Sequence, residues 1–160
     1  MEIEKSLNYS ELDKYLKNDF LVVGMGNEMR GDDGVGLYIV KGSQKNFPHK
    51  FLDVGMTIEN YIFKIIEYPE KVILLIDNVD FGERIGSIKL IDSSKLREQG
   101  ISTHSLSLNK IIMILKEAGK EVLLLGIQGK NLNIGENISR EVKESADDLV
   151  KYFIKRLSEK

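Results

Sequence analysis

The chain alternates short apolar runs, typical of buried strands, with stretches in which apolar residues recur every three or four positions, typical of helices. The predicted strands cover residues 20–23, 51–54, 72–76, 87–91 and 122–127. The predicted helices cover residues 10–17, 32–40, 58–66, 106–118 and 138–157. Because strands and helices alternate, the pattern predicts one α/β domain over residues 1–160, with a mostly parallel sheet covered on both faces.

Local signals refine this pattern at several points. The run Val72–Ile76 contains only apolar residues, which predicts a strand in the middle of the sheet. Ser87–Ile91 follows a turn at residues 82–86 and predicts an edge strand. Ser10 is the expected N-cap of the first helix, and Gly119 is the expected C-cap of the fourth.

Composition and charge exclude several classes of function. The 160 residues include no cysteine, which excludes thiol catalysis, zinc fingers and iron–sulfur ligation. The net charge is -2 and no basic stripe is visible, so we expect no nucleic-acid partner. No run approaches the roughly 20 apolar residues of a membrane span. The N-terminus lacks the apolar core of a signal peptide, so the predicted location is the cytoplasm.

Acidic side chains and one histidine follow the predicted strands where each strand ends. The first strand is followed by a glycine-rich loop that contains Asp32 and Asp33, the second ends near Asp53, and the third is followed by Asp77. His104 precedes the fourth helix. Because parallel sheets place ligands beyond the carboxyl ends of their strands, these groups are expected to meet at one rim.

The glycine-rich loop does not favour a dinucleotide. A G-x-G pair follows the first strand, but the third glycine of G-x-G-x-x-G falls on Met29. Glu28, Asp32 and Asp33 would repel a phosphate at this position. Glu28 is interpreted as a loop charge, and Asn27 is expected to organise the loop through hydrogen bonds from its side chain to the backbone.

A metal site fits these residues better. Asp33, Asp77 and His104 come from three segments, and carboxylates with one imidazole suit Zn²⁺ or Ni²⁺. Three protein ligands leave one coordination position open. Simpler roles stay open as well: Asp32 or Asp33 can cap the following helix, Asp77 and Asp53 can form turns, and His104 can be a structural histidine.

Nucleophilic catalysis has little support in the sequence. No G-x-S-x-G motif is present, and Ser102 and Ser105 flank His104 too closely in sequence to pair with it readily. An aspartic-protease dyad of Asp33 with Asp77 stays open, although no D-T-G motif supports it.

Several segments together resemble the maturation proteases of [NiFe]-hydrogenases. Residues 24–36, GMGNEMRGDDGVG, resemble the opening motif G-x-G-N-x-x-x-x-D-[DE]-x-x-G of this family. Residues 53–60, 76–86, 102–108 and 126–139 are similar, in the family's order, to its further motifs. The combination is specific and extends from about residue 20 to residue 155. It is most similar to the branch that serves formate-hydrogenlyase-type hydrogenases.

Four loop positions depart from the family pattern. Gly129 and Ile85 stand where the family has proline, Val54 replaces a glycine, and Ile58 replaces the proline before Glu59. These changes affect loop stiffness and leave the candidate ligands unchanged.

The resemblance implies a three-layer sandwich with a twisted, mostly parallel five-stranded sheet between helices. It implies that Asp33, Asp77 and His104 contact a metal, and that Asp53 is a further functional acid, as general base or as the group that orients water. It implies an endopeptidase that removes the C-terminal extension of a hydrogenase large-subunit precursor. The nickel is supplied by that substrate and serves as a recognition element.

Two other functions remain open from the sequence. One is a metal-dependent hydrolase with resident zinc. The other is a non-catalytic nickel-binding maturation chaperone on the same scaffold.

Overall fold

The computed structural model describes residues 7–16, 19–93 and 107–159, and contains five strands and five helices within these ranges. The strands are β1 (Phe20–Met25), β2 (Phe51–Gly55), β3 (Val72–Asn78), β4 (Ile88–Asp92) and β5 (Glu121–Ile127). The helices are α1 (Tyr9–Leu16), α2 (Val35–Gln44), α3 (Ile62–Glu67), α4 (Ser107–Glu117) and α5 (Arg140–Ser158). Short 3₁₀ turns, Gly31–Gly34 and Ile58–Tyr61, precede α2 and α3.

The five strands form one sheet in the order β2-β1-β3-β5-β4. The pairs β1–β2, β1–β3 and β3–β5 are parallel, and β4 runs antiparallel along β5. The prediction of a mostly parallel sheet is therefore confirmed, with β3 in the centre and β4 at an edge. From β1 the chain first moves outward to β2 and then returns to the other side, so the strand order reverses between β1 and β3. Such a reversal opens a crevice at the carboxyl ends of the two strands.

Helices cover both faces of the sheet, as expected for three layers. On one face α1, α2 and α5 pack on the sheet, and on the other α3 and α4 do. Side chains of β1 and β3 alternate between the two cores, so Leu74 and Ile76 face α2 and α5, whereas Ile73 and Leu75 face α3 and α4. Among the described residues, no helix is both long and apolar enough to cross a membrane.

The predicted ends of the helices are partly corrected. Ser10 does not cap α1, because the helix begins at Tyr9 and the side chain of Asn8 accepts the Ser10 N–H at 3.0 Å. Gly119 does end α4: its φ is +94°, and the N–H groups of Gly119 and Lys120 donate to carbonyls of the last turn at 3.0 Å.

Candidate active site

The crevice between β1 and β3 brings two of the predicted site residues together. Asp33 lies in the 3₁₀ turn after β1, and Asp77 is the next-to-last residue of β3. Gly24 of β1 is in register with Ile76 of β3, so both aspartates lie at the same end of the sheet. Each aspartate is less than one-tenth exposed, which is unusual for two acidic residues beside each other.

The glycine-rich loop fixes the position of Asp33. The N–H of Asn27 donates to the carbonyl and the Oδ2 of Asp33 at 3.2 and 3.1 Å, and the Asn27 side chain accepts the Met29 N–H at 2.9 Å. Gly26 has a φ of +133°, and an added Cβ there would collide with the Asp33 carbonyl. The expected role of Asn27 in organising this loop is confirmed.

The electrostatics of the pair follow from burial and proximity. Burial raises the pKa of Asp77 well above its ordinary value, and the nearby charge of Asp33 raises this pKa further. The N–H of Asn78, which donates to Asp77 Oδ1 at 2.8 Å, acts in the opposite direction and does not outweigh them. Two buried carboxylates in this arrangement favour a shared proton or a bound cation.

The two aspartates lie in a cleft of about 470 Å³ with mostly apolar walls. The apolar lining comes from Met25, Met56, Ile58, Leu108 and Leu132. The polar lining includes, besides Asp33 and Asp77, Asn27, Arg30 and Glu59. Pockets of this size and mixed lining are typical of sites that bind an organic group and orient it with a few polar contacts.

His104, the third predicted metal ligand, lies outside the described residues. Across residues 7–16, 19–93 and 107–159, no group of three or more histidine, aspartate or glutamate side chains is arranged to hold a metal ion. The described part of the chain therefore supplies two of the three predicted ligands in one cleft. The complete ligand set Asp33, Asp77 and His104 stays a prediction.

Asp53 does not line this cleft. Its carboxylate turns back to accept the Gly55 N–H at 2.9 Å, which is the turn-forming role left open for it. Asp53 is in register with Gly24 and also interacts electrostatically with Lys41 of α2. The connection of Asp53 to the cleft is Gly55, which is one of the cleft-lining residues.

The capping role left open for Asp32 and Asp33 is not the one that the structure gives them. Arg30 and Gly34 occupy the N-cap positions of the 3₁₀ turn and of α2, and neither cap has a side-chain hydrogen bond. Asp32 instead is fully buried and accepts hydrogen bonds from the loop after β5. Its partners are about 100 positions away in sequence, so no local pattern could indicate them.

Other cleft residues were not singled out from the sequence. Arg30 and Leu132 both line the cleft, and the Arg30 guanidinium donates to the Leu132 carbonyl at 3.5 Å. Arg30 lies inside the glycine-rich motif, and this position could have indicated that it lines the site. Leu132 lies in a polar loop without periodicity, so its sequence gives no indication of a role.

Comparison with known proteins shows which protein family has this α/β fold and sequence. The profile of the family described as hydrogenase maturation protease (HycI) matches residues 35–156. The Hydrogenase 3 maturation protease of Escherichia coli K12 is 31% identical over 77% of this chain and 81% of its own length. A Methanocaldococcus jannaschii protein assigned to the hydrogenase maturation proteases is 35% identical over 92% of this chain and 94% of its own length.

Solved structures agree with this family. The crystal structure of the [NiFe] hydrogenase maturation protease HycI from Thermococcus kodakarensis KOD1 superposes with a TM-score of 0.83 and 26% identity, over 92% of this chain and 99% of that one. The solution structure of the endopeptidase HycI from Escherichia coli gives a TM-score of 0.71 and 26% identity, over 86% and 90% of the two chains. The chain belongs to the HycI-type hydrogenase maturation protease family. It is a hydrogenase maturation endopeptidase, a hydrolase of peptide bonds.

Proposed function

We propose that this endopeptidase removes the C-terminal extension of a nickel-loaded [NiFe]-hydrogenase large-subunit precursor, and that it recognises the nickel of that substrate. The observation that carries the proposal is the pair Asp33 and Asp77, buried together in one cleft at the strand-order reversal. Membership of the family supports the reaction class, and the pair supports the choice of a cation as the recognition element.

A divalent cation would relieve the repulsion between the two carboxylates. Burial and the charge of Asp33 both disfavour an ionised Asp77, so this site gains by binding positive charge. A cation delivered by the precursor would bind to Asp33 and Asp77, with His104 as the predicted third ligand. The apolar walls of the cleft would then hold the peptide that follows the nickel site in the precursor.

Docking of the nickel in the cleft suggests how the peptide bond is hydrolysed. The docked nickel, as part of the substrate, can polarise the scissile carbonyl or acidify a bound water. Because Asp53 does not line the cleft, a role as general base or in orienting water would require its carboxylate to turn toward the docked substrate, and this role stays a prediction. Its hydrogen bond to Gly55 also supports a second role, in which Asp53 shapes the cleft wall.

A second mechanism has support from one specific observation. The raised pKa of Asp77 beside Asp33 is also what an aspartic-type dyad with a shared proton requires. In that mechanism the dyad itself would activate water, and nickel in the precursor would not be needed. The two mechanisms therefore differ in whether a nickel-free precursor is cleaved.

The test is the intact mass of a candidate large-subunit precursor incubated with the purified protease, in nickel-loaded and nickel-free forms. We expect loss of the extension only from the nickel-loaded form, and no loss with the Asp77→Asn variant. Cleavage of the nickel-free form at the same rate would contradict nickel recognition and favour the dyad.

Two further outcomes separate the remaining functions. Stoichiometric zinc in protein purified without added metal would favour a hydrolase with resident zinc. Nickel binding without any mass loss in the precursor would favour a non-catalytic chaperone. The cytoplasmic location stays a prediction.

A further inference from the structure

Asp32, a side chain beside the cleft that the proposed chemistry does not use, is extensively hydrogen-bonded. The Asp32 carboxylate is fully buried and accepts the N–H groups of Lys130, Asn131 and Ser139 at 2.8, 2.9 and 2.7 Å. The Ser139 hydroxyl lies 3.1 and 3.0 Å from its two oxygens. Both carboxylate oxygens are thus engaged by the loop that connects β5 to α5.

Backbone hydrogen bonds join the same two loops. The Asp32 N–H donates to the Asn131 carbonyl at 2.7 Å, and the Gly135 N–H donates to the Met29 carbonyl at 2.9 Å. The loop after β1 and the loop after β5 therefore form one unit. The first loop carries Asp33, and the second carries Leu132 of the cleft wall.

The donors also explain how a charge is tolerated at a fully buried position. Three are backbone N–H groups and one is a hydroxyl, and hydrogen bonds to a carboxylate are stronger than those between neutral groups. Ser139 is the N-cap residue of α5, and the dipole of this 19-residue helix favours negative charge at that end. Asparagine fits less well at this position, because it would place an amino group against N–H donors.

We propose that Asp32 is a positioning residue for the endopeptidase reaction. Its carboxylate fastens the loop after β5 to the loop after β1, and this fixes Asp33 relative to Asp77 and holds Leu132 in the cleft wall. The proposal rests on the proposed function for its kinetic consequence, but the fastening of the two loops is measurable without any substrate.

The test compares Asp32→Asn with two controls. Glu70→Gln changes a carboxylate that is about as buried, but it lies at the opposite end of the sheet, where Glu70 pairs with Lys50 at 2.6 Å. Ser139→Ala removes the hydroxyl and leaves the three backbone donors in place. All variants are assayed at a temperature at which each is fully folded.

The first readout is amide hydrogen exchange of the free protease. In Asp32→Asn we expect the amides of Lys130, Asn131 and Ser139 to exchange at least about 10-fold faster, while the amides within β5 keep their wild-type protection. In Glu70→Gln the amides of Lys130, Asn131 and Ser139 should keep their wild-type protection from exchange. Unchanged protection of these amides in Asp32→Asn would overturn the proposal, and this holds even if the wild-type protease fails to cleave the precursor.

The second readout is cleavage of the nickel-loaded precursor. Because a displacement of about 1 Å at reacting groups can cost up to about 100-fold in rate, we expect kcat of Asp32→Asn to fall at least about 10-fold with KM nearly unchanged. Ser139→Ala should have a smaller effect, and Glu70→Gln should keep wild-type kinetics whatever its loss of stability. Equal losses in Asp32→Asn and Glu70→Gln would show a purely structural role and overturn the proposal.

Discussion

Asp53 and Asp77 lie within β2 and β3, on either side of β1 in the sheet, and their surroundings give them different properties. Side chains alternate between the two faces of a strand, so Asp77 points to the same face of β3 as Ile73 and Leu75. This face is covered by α3 and α4, and Asp77 reaches the cleft from it. Asp53 points to the same face of β2 as Phe51, which belongs to the core on the opposite side of the sheet. The direction in which a strand residue points therefore decides which acidic residues can share a cation.

The raised pKa of Asp77 predicts how stability depends on pH. Between the ordinary value of 3.8 and the raised value, the folded state binds more protons than the unfolded state, so stability falls as pH rises through this range. Asp77→Asn removes this loss and retains an oxygen for the Asn78 N–H. We expect its free energy of unfolding to exceed that of the wild type by about 1 kcal/mol or more at neutral pH, with the difference vanishing near pH 4.

Urea unfolding at several pH values measures this difference, and Asp147→Asn is a control of opposite sign. A hydrogen bond from Tyr38 is the first cause of the lowered pKa of Asp147, so that carboxylate stabilises the fold above its ordinary pKa, and its loss should destabilise the protein at neutral pH. If Asp77→Asn is less stable than the wild type at neutral pH, burial and repulsion by Asp33 do not destabilise the ionised Asp77.

At the scale of elements, the close approach of α2 to the sheet determines where the cleft begins. Gly36 lies in the first turn of α2, and an added Cβ there would collide with the Ile76 carbonyl and lie 2.7 Å from the Met25 carbonyl. Both atoms are backbone, so the contact cannot be relieved by a side-chain rotation. A larger residue must move the helix that follows Asp33 directly.

We therefore expect Gly36→Ala to destabilise the fold by about 1–3 kcal/mol, because overpacking outweighs the gain of about 1 kcal/mol in helix propensity. Gly42→Ala in the same helix is the matched control. Its added Cβ would meet the Val150 side chain at 3.2 Å, which can shift, so the gain in propensity should nearly offset the contact. Chemical denaturation of both variants tests this, and equal stability of Gly36→Ala and the wild type would contradict the tight contact.

The elements were largely predictable because apolar runs and helical periodicity are local signals. Val72–Ile76 predicted the central strand, and Gly119 predicted the end of α4. The N-caps were not predictable in the same way, since Asn8, two residues before Ser10, supplies the capping side chain. The role of Asp32 was not predictable, because its donors at Lys130 and Ser139 come from a loop that only the folded sheet brings near.

The candidate site was also predictable in part. The rule that ligands bind beyond the carboxyl ends of parallel strands was enough to place Asp33 and Asp77 together. It could not exclude Asp53 from the cleft, because β2 is covered on both faces and its composition does not show which residues face α2. The cleft wall at Leu132 depends on a loop whose conformation follows from tertiary hydrogen bonds.

At the scale of the whole molecule, exposed apolar side chains lie on the loops that border the cleft. This apolar collar consists of Met29, Met56, Leu132 and Ile134, which are between 39% and 68% exposed. They come from the loops after β1, β2 and β5. Met56 and Leu132 line the cleft itself, and the hydrogen bond from Gly135 to Met29 joins the two loops that carry the others. Exposed apolar groups clustered around a site are typical of surfaces that bind another protein.

If the collar contacts the folded precursor outside the cleft, Met29→Ser combined with Ile134→Ser should raise KM for the nickel-loaded precursor about 10-fold, because buried apolar contacts carry much of the affinity of an interface. The kcat should stay unchanged, since neither side chain approaches Asp33 or Asp77 in the cleft lining. The Ni²⁺ affinity of the free protease, measured by calorimetry, should stay unchanged for the same reason.

Met113→Ser on α4 is the matched control, because Met113 is 58% exposed and does not line the cleft. A general loss of exposed apolar surface would affect this variant and the collar variant alike, whereas a specific docking surface would leave its KM at the wild-type value. A fall in kcat at constant KM in the collar variant would instead mean that the collar acts on the chemical step. Steady-state cleavage of the intact precursor, followed by mass spectrometry, distinguishes the two because docking of a folded partner changes KM before it changes turnover.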